Sequence, residues 1–119
     1  MRVRGIRGAI SVEEDSERIV LDATARLLRE ILERNELALD EVVSVFFTAT
    51  DDLSSAFPAR AAREIGLDHV PLLCARELEV DGALPRVIRV LMHVLTERPP
   101  DEIAHVYLGD ARRLREDLA

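Results

Sequence analysis

Several residue types are scarce in this sequence of 119 residues: it has one cysteine, no lysine, no tryptophan and only three phenylalanines and one tyrosine. A single cysteine excludes an internal disulfide and is typical of a reducing compartment. The first residues carry no apolar signal-peptide core, and no apolar run is long enough to cross a bilayer. We therefore expect a cytoplasmic protein that has no membrane partner.

Positive charge is also in short supply. The sequence has 16 basic residues, all arginine, against 23 acidic residues, which gives a formal net charge of −7. Nucleic-acid binding depends on a basic surface that neutralises phosphates. This composition therefore argues against a nucleic-acid partner.

Apolar residues, by contrast, are plentiful at 48% of the chain. This content and length predict one globular domain that spans residues 1–119 and buries a core without disulfides. The shortage of aromatic anchors predicts that a partner subunit completes some of the apolar faces.

Hydrophobic periodicity predicts five strands and two helices. The predicted strands are 2–12, 42–50, 70–75, 87–95 and 105–108, and the predicted helices are 16–34 and a short one that begins at Pro58 and stops at Gly66, with a helical turn at 101–104. Strands 42–50 and 87–95 are apolar at odd and even positions alike, which predicts burial on both faces. The order of elements predicts an α+β fold in which helices pack on one face of a mixed sheet.

The ends of the long helix carry capping residues. Either Asp15 or Ser16 can accept hydrogen bonds from the first turn, and Asn35 can end the helix. These positions agree with a helix over residues 16–34.

Two arginines occupy unusual places. Alternation along the first strand puts Arg7 among small and apolar neighbours, where Gly5 and Gly8 would let a ligand approach the backbone. Arg89 lies inside the apolar strand 87–95, where a charge is costly unless an anion meets it. Each arginine has two open interpretations, a salt bridge within the protein or a site for a bound anion such as a carboxylate.

The end of the third strand holds Cys74 and Glu77. Locally, a plain salt bridge is the simplest role for Glu77, and a small buried apolar residue is the simplest role for Cys74. Their three-residue spacing places them on opposite faces of a regular strand. Unless the strand turns between them, they serve different pockets.

Other chemistry is not indicated. Tyr107 lies between apolar neighbours, so the simplest interpretation is a tyrosine in the core. The three histidines lack metal-ligand spacing, and the sequence has no phosphate-cradling or dinucleotide motif. We therefore expect neither a metal nor a cofactor.

Taken together, seven short segments resemble the AroH-type monofunctional chorismate mutases over nearly the whole chain. They are residues 4–9 (RGIRGA), 48–53 (TATDDL), 57–64 (FPARAARE), 70–77 (VPLLCARE), 88–90 (IRV) with Met92, 105–108 (HVYL) and 114–118 (LREDL). Each segment is weak alone, but their order and spacing make the set specific. The resemblance implies a homotrimer with a pseudo α/β-barrel core, three active sites between subunits, and no cofactor.

The resemblance also implies roles for individual residues. Arg7 and Tyr107 look like the pair that holds a substrate carboxylate, and Arg89 looks like the residue at the breaking ether bond. Glu77 and Cys74 look like partners of the ring hydroxyl. The remaining positions resemble substrate-binding or pocket-wall residues: Phe57, Arg60, Arg63, Leu73, Ala75, Arg76 and Leu114, with Arg115 beside Leu114 near the C-terminus.

The implied function is the cofactor-free Claisen rearrangement of chorismate to prephenate in phenylalanine and tyrosine biosynthesis. Two rival hypotheses remain open on the sequence. One is a trimeric deaminase of small imino acids, and the other is a non-catalytic sensor of an aromatic-pathway acid. Consumption of chorismate distinguishes the mutase from both.

Overall fold

Five strands and two α-helices follow one another in the predicted order in the computed structural model, which describes residues 1–115. The strands are β1 (Arg2–Ser11), β2 (Val42–Ala49), β3 (Leu72–Arg76), β4 (Val87–Thr96) and β5 (Val106–Leu108), the helices are α1 (Glu17–Arg34) and α2 (Pro58–Glu64), and 3₁₀ segments lie at Leu39–Glu41, Pro100–Glu102 and Gly109–Arg115. The predicted tail positions 116–118 and the side chain of Arg115 lie outside the described residues. Within residues 1–115, no helix is both long and apolar enough to cross a membrane.

The strands form one mixed sheet in the order β3-β2-β4-β1-β5. Strand β4 lies at the centre and pairs antiparallel with β1 and β2, whereas the β2–β3 and β1–β5 pairs are parallel. The main core lies between this sheet and the two helices, which pack on the same face. The predicted mixed sheet with helices on one face is therefore confirmed.

Helix α1 approaches the sheet most closely at β1. A Cβ atom on Gly8 would lie 2.8 Å from Ile31 Cδ1 and 3.2 Å from Leu27 Cδ1, which is too close for a side chain. Both of these α1 residues are fully buried. Gly8 therefore lets the helix pack on the strand, a packing role that the sequence did not predict.

The caps of α1 distinguish the two predicted candidates at its start. The Ser16 hydroxyl accepts from the Ile19 N–H at 3.2 Å, so Ser16 is the N-cap. Asp15 instead reaches across to another loop. At the other end, Asn35 is the C-cap, as predicted, and its side chain is buried.

The opposite face of the sheet, here called the open face, carries no α-helix among residues 1–115. Alternate residues of β2 and β4 point to it, and large apolar side chains such as Phe46 and Leu91 remain about two-fifths exposed. The prediction that β2 and β4 are buried on both faces is therefore wrong for a single chain. The 3₁₀ segment Gly109–Arg115 covers only the β5 end of this face, where Ala111 packs against Tyr107.

Candidate active site

Strand register assembles a first cleft on the open face from residues that are distant in sequence. Arg89 lies opposite both Thr48 on β2 and Ala9 on β1, and Tyr107 on β5 also lies opposite Ala9. Arg7 precedes Ala9 by two residues, so the two share one face of β1. We call this region the sheet-face cleft. It encloses about 420 Å³ and is lined by Arg7, Gly8, Phe46, Thr48, Glu77, Arg89, Val90, Leu91 and Tyr107.

Glu77 reaches the sheet-face cleft because the chain stays in register just beyond β3. Its N–H donates to the Ala49 carbonyl at 2.9 Å, which extends the parallel pairing by one residue. The Thr48 hydroxyl donates to one carboxylate oxygen of Glu77, and Arg89 Nε lies 3.1 Å from the other. The Arg89 Nε–H is not directed at that oxygen. The contact is therefore an ion pair and not a well-aligned hydrogen bond.

This ion pair confirms that Arg89 forms a salt bridge within the protein, one of its two predicted roles. A protein carboxylate, that of Glu77, meets the guanidinium. Within residues 1–115, neither Nη atom of Arg89 makes a hydrogen bond, and Glu77 is the only ion-pair partner of its guanidinium. These terminal donors remain available for an anionic ligand.

Arg7 is held through its backbone. Its N–H donates to Nδ1 of His105 at 2.9 Å, and its guanidinium forms no ion pair with the part of the chain that the structure describes. Tyr107 is nearly buried beside it in a small apolar cluster, against which Leu114 is partly buried. The predicted grouping of Arg7, Arg89, Glu77 and Tyr107 is thus present, with Leu114 packed nearby.

A second cleft lies where the edge strand β3 meets the loop before α2, and we call it the edge cleft. It encloses about 480 Å³, and its lining includes five predicted site residues: Phe57, Arg60, Cys74, Ala75 and Arg76. Arg60 Nη1 lies 3.4 Å from Glu17 Oε1, and its Nε lies 3.3 Å from Glu64 Oε1. The Phe57 ring is 74% exposed.

Asp15 fixes the loop that forms one wall of the edge cleft. Its carboxylate accepts from the Ser54 N–H at 2.9 Å and from the Ser55 N–H at 3.1 Å. The pKa of Asp15 is lowered, chiefly by the Ser55 hydroxyl, whose dipole favours the carboxylate without a well-directed hydrogen bond, and next by the Ser54 N–H. The charged form of Asp15 therefore holds this loop in place.

Within one chain, the predicted site residues do not form a single pocket. Cys74 and Glu77 lie in different clefts because the strand does not turn between them. Arg63 is exposed in the last turn of α2 and lines neither cleft. Leu73 is 57% exposed on the open face of β3 and also lines neither cleft. None of the described residues forms a cluster of three or more potential metal ligands.

Three residues near the clefts, Thr48, His105 and Asp15, were not predicted to belong to the site. Thr48 follows Phe46 by two, so strand alternation on β2 could have placed it on the open face. No pattern in the sequence indicates the roles of His105 and Asp15, because each contacts a distant segment. His105 contacts a residue 98 positions away, and Asp15 contacts one 39 positions away. Contacts of that kind depend on the tertiary fold.

Comparison with known proteins gives a consistent result. Residues 3–118 match the family model for type I chorismate mutase. The chain is 56% identical to the chorismate mutase AroH of Thermus thermophilus, over 98% of this chain and 96% of the relative, and 46% identical to that of Bacillus subtilis, over 100% and 94%. A solved chorismate mutase from Clostridium thermocellum is 42% identical and superposes with a TM-score of 0.91, over 92% of this chain and 98% of that structure.

Proposed function

This chain belongs to the type I chorismate mutase family, and we propose that its reaction takes place on the open face of its sheet. It is a chorismate mutase, an isomerase of aromatic amino acid biosynthesis that converts chorismate to prephenate. Family membership decides against the deaminase and sensor hypotheses. The proposal treats residues 1–119 as one cofactor-free domain in the cytoplasm, supported by the family match over 3–118 and the single cysteine.

Substrate charge supports this location. Chorismate carries two carboxylates, while the chain has a net charge of −7, so binding requires a local positive field. The sheet-face cleft offers Arg7, whose guanidinium has no ion-pair partner among residues 1–115, and the Nη donors of Arg89. We assign one substrate carboxylate to Arg7 and Tyr107.

The placement of Arg89 in the sheet-face cleft is the observation that carries the proposal. Arg89 extends from an apolar strand and lines the sheet-face cleft together with Leu91, and its guanidinium is met by the Glu77 carboxylate. As the ether bond of chorismate breaks, its oxygen gains negative charge and the ring gains positive charge. A fixed guanidinium at that oxygen stabilises the transition state more than the bound substrate, and the Glu77 carboxylate complements the ring.

Ion pairing with Glu77 also preorganises Arg89. A guanidinium whose Nε is already held by a carboxylate needs little reorientation when charge develops on the substrate. The step requires no covalent intermediate and no proton transfer. In our proposal the cleft also selects the compact conformer of chorismate in which the reacting carbons touch.

A trimer would complete the site. The open face presents Phe46, Leu73 and Leu91 to solvent in one chain, and apolar residues on an uncovered sheet face favour association. We propose that the edge cleft of a neighbouring subunit faces the sheet-face cleft, so that Phe57, Arg60 and Cys74 join Arg7, Arg89 and Glu77 around one substrate. Leu114 would close this shared site.

Steady-state kinetics test the proposal through Arg89. The disappearance of chorismate, followed by its ultraviolet absorbance, gives kcat and KM for the wild type, Arg89→Ala and Arg89→Lys. Loss of a preorganised donor to a developing oxyanion lowers kcat by about 100–1,000-fold, and we expect Arg89→Ala to lose at least this much. We expect Arg89→Lys to recover little, because an ammonium does not reproduce the planar fork.

Circular dichroism establishes that these variants are folded, and Arg26→Ala on the exposed side of α1 is the matched loss of one arginine charge. A folded Arg89→Ala enzyme with normal kcat and a raised KM would limit Arg89 to carboxylate binding and contradict the mechanism.

A further inference from the structure

Strand β5 begins one residue too late to pair with the backbone of Arg7. The parallel register runs from Gly8 opposite Val106 to Ile10 opposite Leu108, so no β5 residue stands opposite Arg7. Its N–H points to that side of β1, where a side chain takes the place of a backbone carbonyl: Nδ1 of His105 accepts the Arg7 N–H at 2.9 Å. The imidazole thereby continues the hydrogen-bond ladder by one residue.

The segment that carries His105 is itself held at two points. Asn35 Oδ1 accepts from the Ala104 N–H at 2.8 Å, and Asn35 Nδ2 donates to the Ala104 carbonyl at 2.9 Å. The same Nδ2 donates to the Ile31 carbonyl in the last turn of α1 at 2.9 Å, and Asn35 is only 3% exposed. A buried side chain with all these partners has little freedom. The backbone that enters β5 is therefore fixed to the C-terminal end of α1.

The hydrogen bond with the Arg7 N–H fixes the tautomer of the neutral His105 ring. Because Nδ1 accepts, it carries a lone pair, and the neutral ring has its proton on Nε2. A side-chain acceptor at this point fixes the Arg7 Cα, from which the guanidinium extends into the sheet-face cleft.

We propose that His105 is a positioning residue for substrate binding, and that it acts by locking the backbone of Arg7 through Nδ1. The inference rests on the proposed role of Arg7 in holding a substrate carboxylate. It assigns to His105 no contact with the substrate.

Kinetics of His105→Ala give the first test. Displacement of a positioned group by about 1 Å costs up to about 100-fold in catalytic efficiency, and a small shift of one carboxylate-binding arginine should cost roughly 10-fold in kcat/KM. We expect most of this loss in KM, because Arg7 binds the substrate while Arg89 acts on the transition state. A role in folding alone would instead reduce the active fraction, which lowers kcat and leaves KM unchanged.

Two conservative variants separate the ring nitrogens. In His105→Asn the amide oxygen stands near the position of Nδ1, so this variant should recover most of the wild-type KM. In His105→Gln the amide lies farther out, near the position of Nε2, and should recover little. His69→Ala, which removes a histidine with a 97% exposed side chain, is the control for general effects of histidine loss. A folded His105→Ala enzyme with wild-type KM, or equal recovery by Asn and Gln, overturns the proposal.

Two further measurements distinguish failure of this inference from failure of the active-site assignment. If Arg7→Ala has normal kinetics, the assigned role of Arg7 fails, and with it the functional consequence of the His105 contact. If Arg7→Ala is impaired and the double variant with His105→Ala is no worse than Arg7→Ala alone, His105 acts through Arg7. Additive effects of the two substitutions contradict this route.

The ring tautomer can be measured on the wild type, whatever the variants do. Nitrogen-15 spectra should show Nδ1 of His105 as the unprotonated nitrogen of the neutral ring, assigned by the loss of its signals in His105→Asn. A proton on Nδ1 would remove the acceptor and overturn the proposal.

Discussion

Single residues in this protein obtain their roles from the side of the sheet on which they lie. Glu77 points to the open face and meets Arg89, while Cys74 points to the helix face of the same edge and packs against the core. Two residues three positions apart thereby lie in different clefts of one chain. Cys74 is a free, half-buried thiol, and no step of the proposed mechanism uses it as a nucleophile.

Replacement of this thiol tests that assignment. We expect Cys74→Ser to retain most of the wild-type kcat, since the rearrangement forms no covalent bond with the protein. A hydroxyl in a half-buried apolar position should lower the free energy of unfolding by about 1 kcal/mol. Kinetics and a urea titration measure the two effects separately. Complete inactivation of a folded Cys74→Ser enzyme would point to an essential thiol.

At the scale of elements, the loop between β2 and α2 depends on one carboxylate outside it. Asp15 precedes α1 and binds the backbone of Ser54 and Ser55, which positions the chain that leads to Phe57. The charged carboxylate accepts these bonds best, and the pKa of Asp15 is lowered accordingly. The wall of the edge cleft is therefore held by an interaction that is sensitive to acid.

The pH dependence of stability should reveal this anchor. A carboxyl whose pKa is lower in the folded state binds its proton more readily in the unfolded state, so it stabilises the fold above its usual pKa of 3.8. The stabilisation is lost as the pH falls below 3.8 and through the folded pKa. We expect Asp15→Asn to have a lower Tm than the wild type at neutral pH, with the difference shrinking in this acidic range.

A neighbouring acidic residue supplies the control for this experiment. Glu14→Gln removes the same charge from an exposed position next to Asp15. If the two variants show the same Tm at every pH, the hydrogen bonds from the loop to Asp15 contribute nothing measurable to the stability of the fold.

At the scale of the whole molecule, one chain presents two separate clefts, which in our proposal are the two halves of a site shared between subunits. The sheet-face cleft holds the cations and the carboxylate of the proposed mechanism, and the edge cleft holds Phe57, Arg60 and Cys74. The exposed apolar side chains of the open face favour association between chains. A closed ring of three would bring each sheet-face cleft to a neighbour's edge cleft.

Mixing inactive chains tests whether active sites are shared. We expect Arg7→Ala and Arg60→Ala each to lose activity because each removes a cation from a different half-site. If the halves come from different subunits, an equimolar, randomly assembled population contains both intact residues at about a quarter of all its sites, because about one site in three is intact in each mixed trimer and none is intact in an unmixed trimer. Co-refolded mixtures should then recover roughly that fraction of wild-type activity. Recovery absent from mixed trimers, or light scattering that shows an active monomer, would contradict shared sites.

The sequence determined the local features of this protein. Alternation and helical spacing predicted the strands, the helices and the mixed sheet, because these patterns depend on neighbours a few residues apart. Arg7 and Arg89 were recognisable as functional candidates, since a charge among apolar residues needs a partner wherever the strand lies. Together with the segments that resemble a known family, they were enough to predict the reaction.

Only the tertiary structure decided which candidates meet. Register between distant strands placed Arg89 against Thr48 and Glu77, and put Cys74 in the other cleft. The packing role of Gly8 was not predicted, because the helix that lies against it is brought there only by the fold. The contact between Arg7 and His105 spans 98 residues. No local pattern records such a contact, because it forms only after the sheet fixes the geometry of both segments.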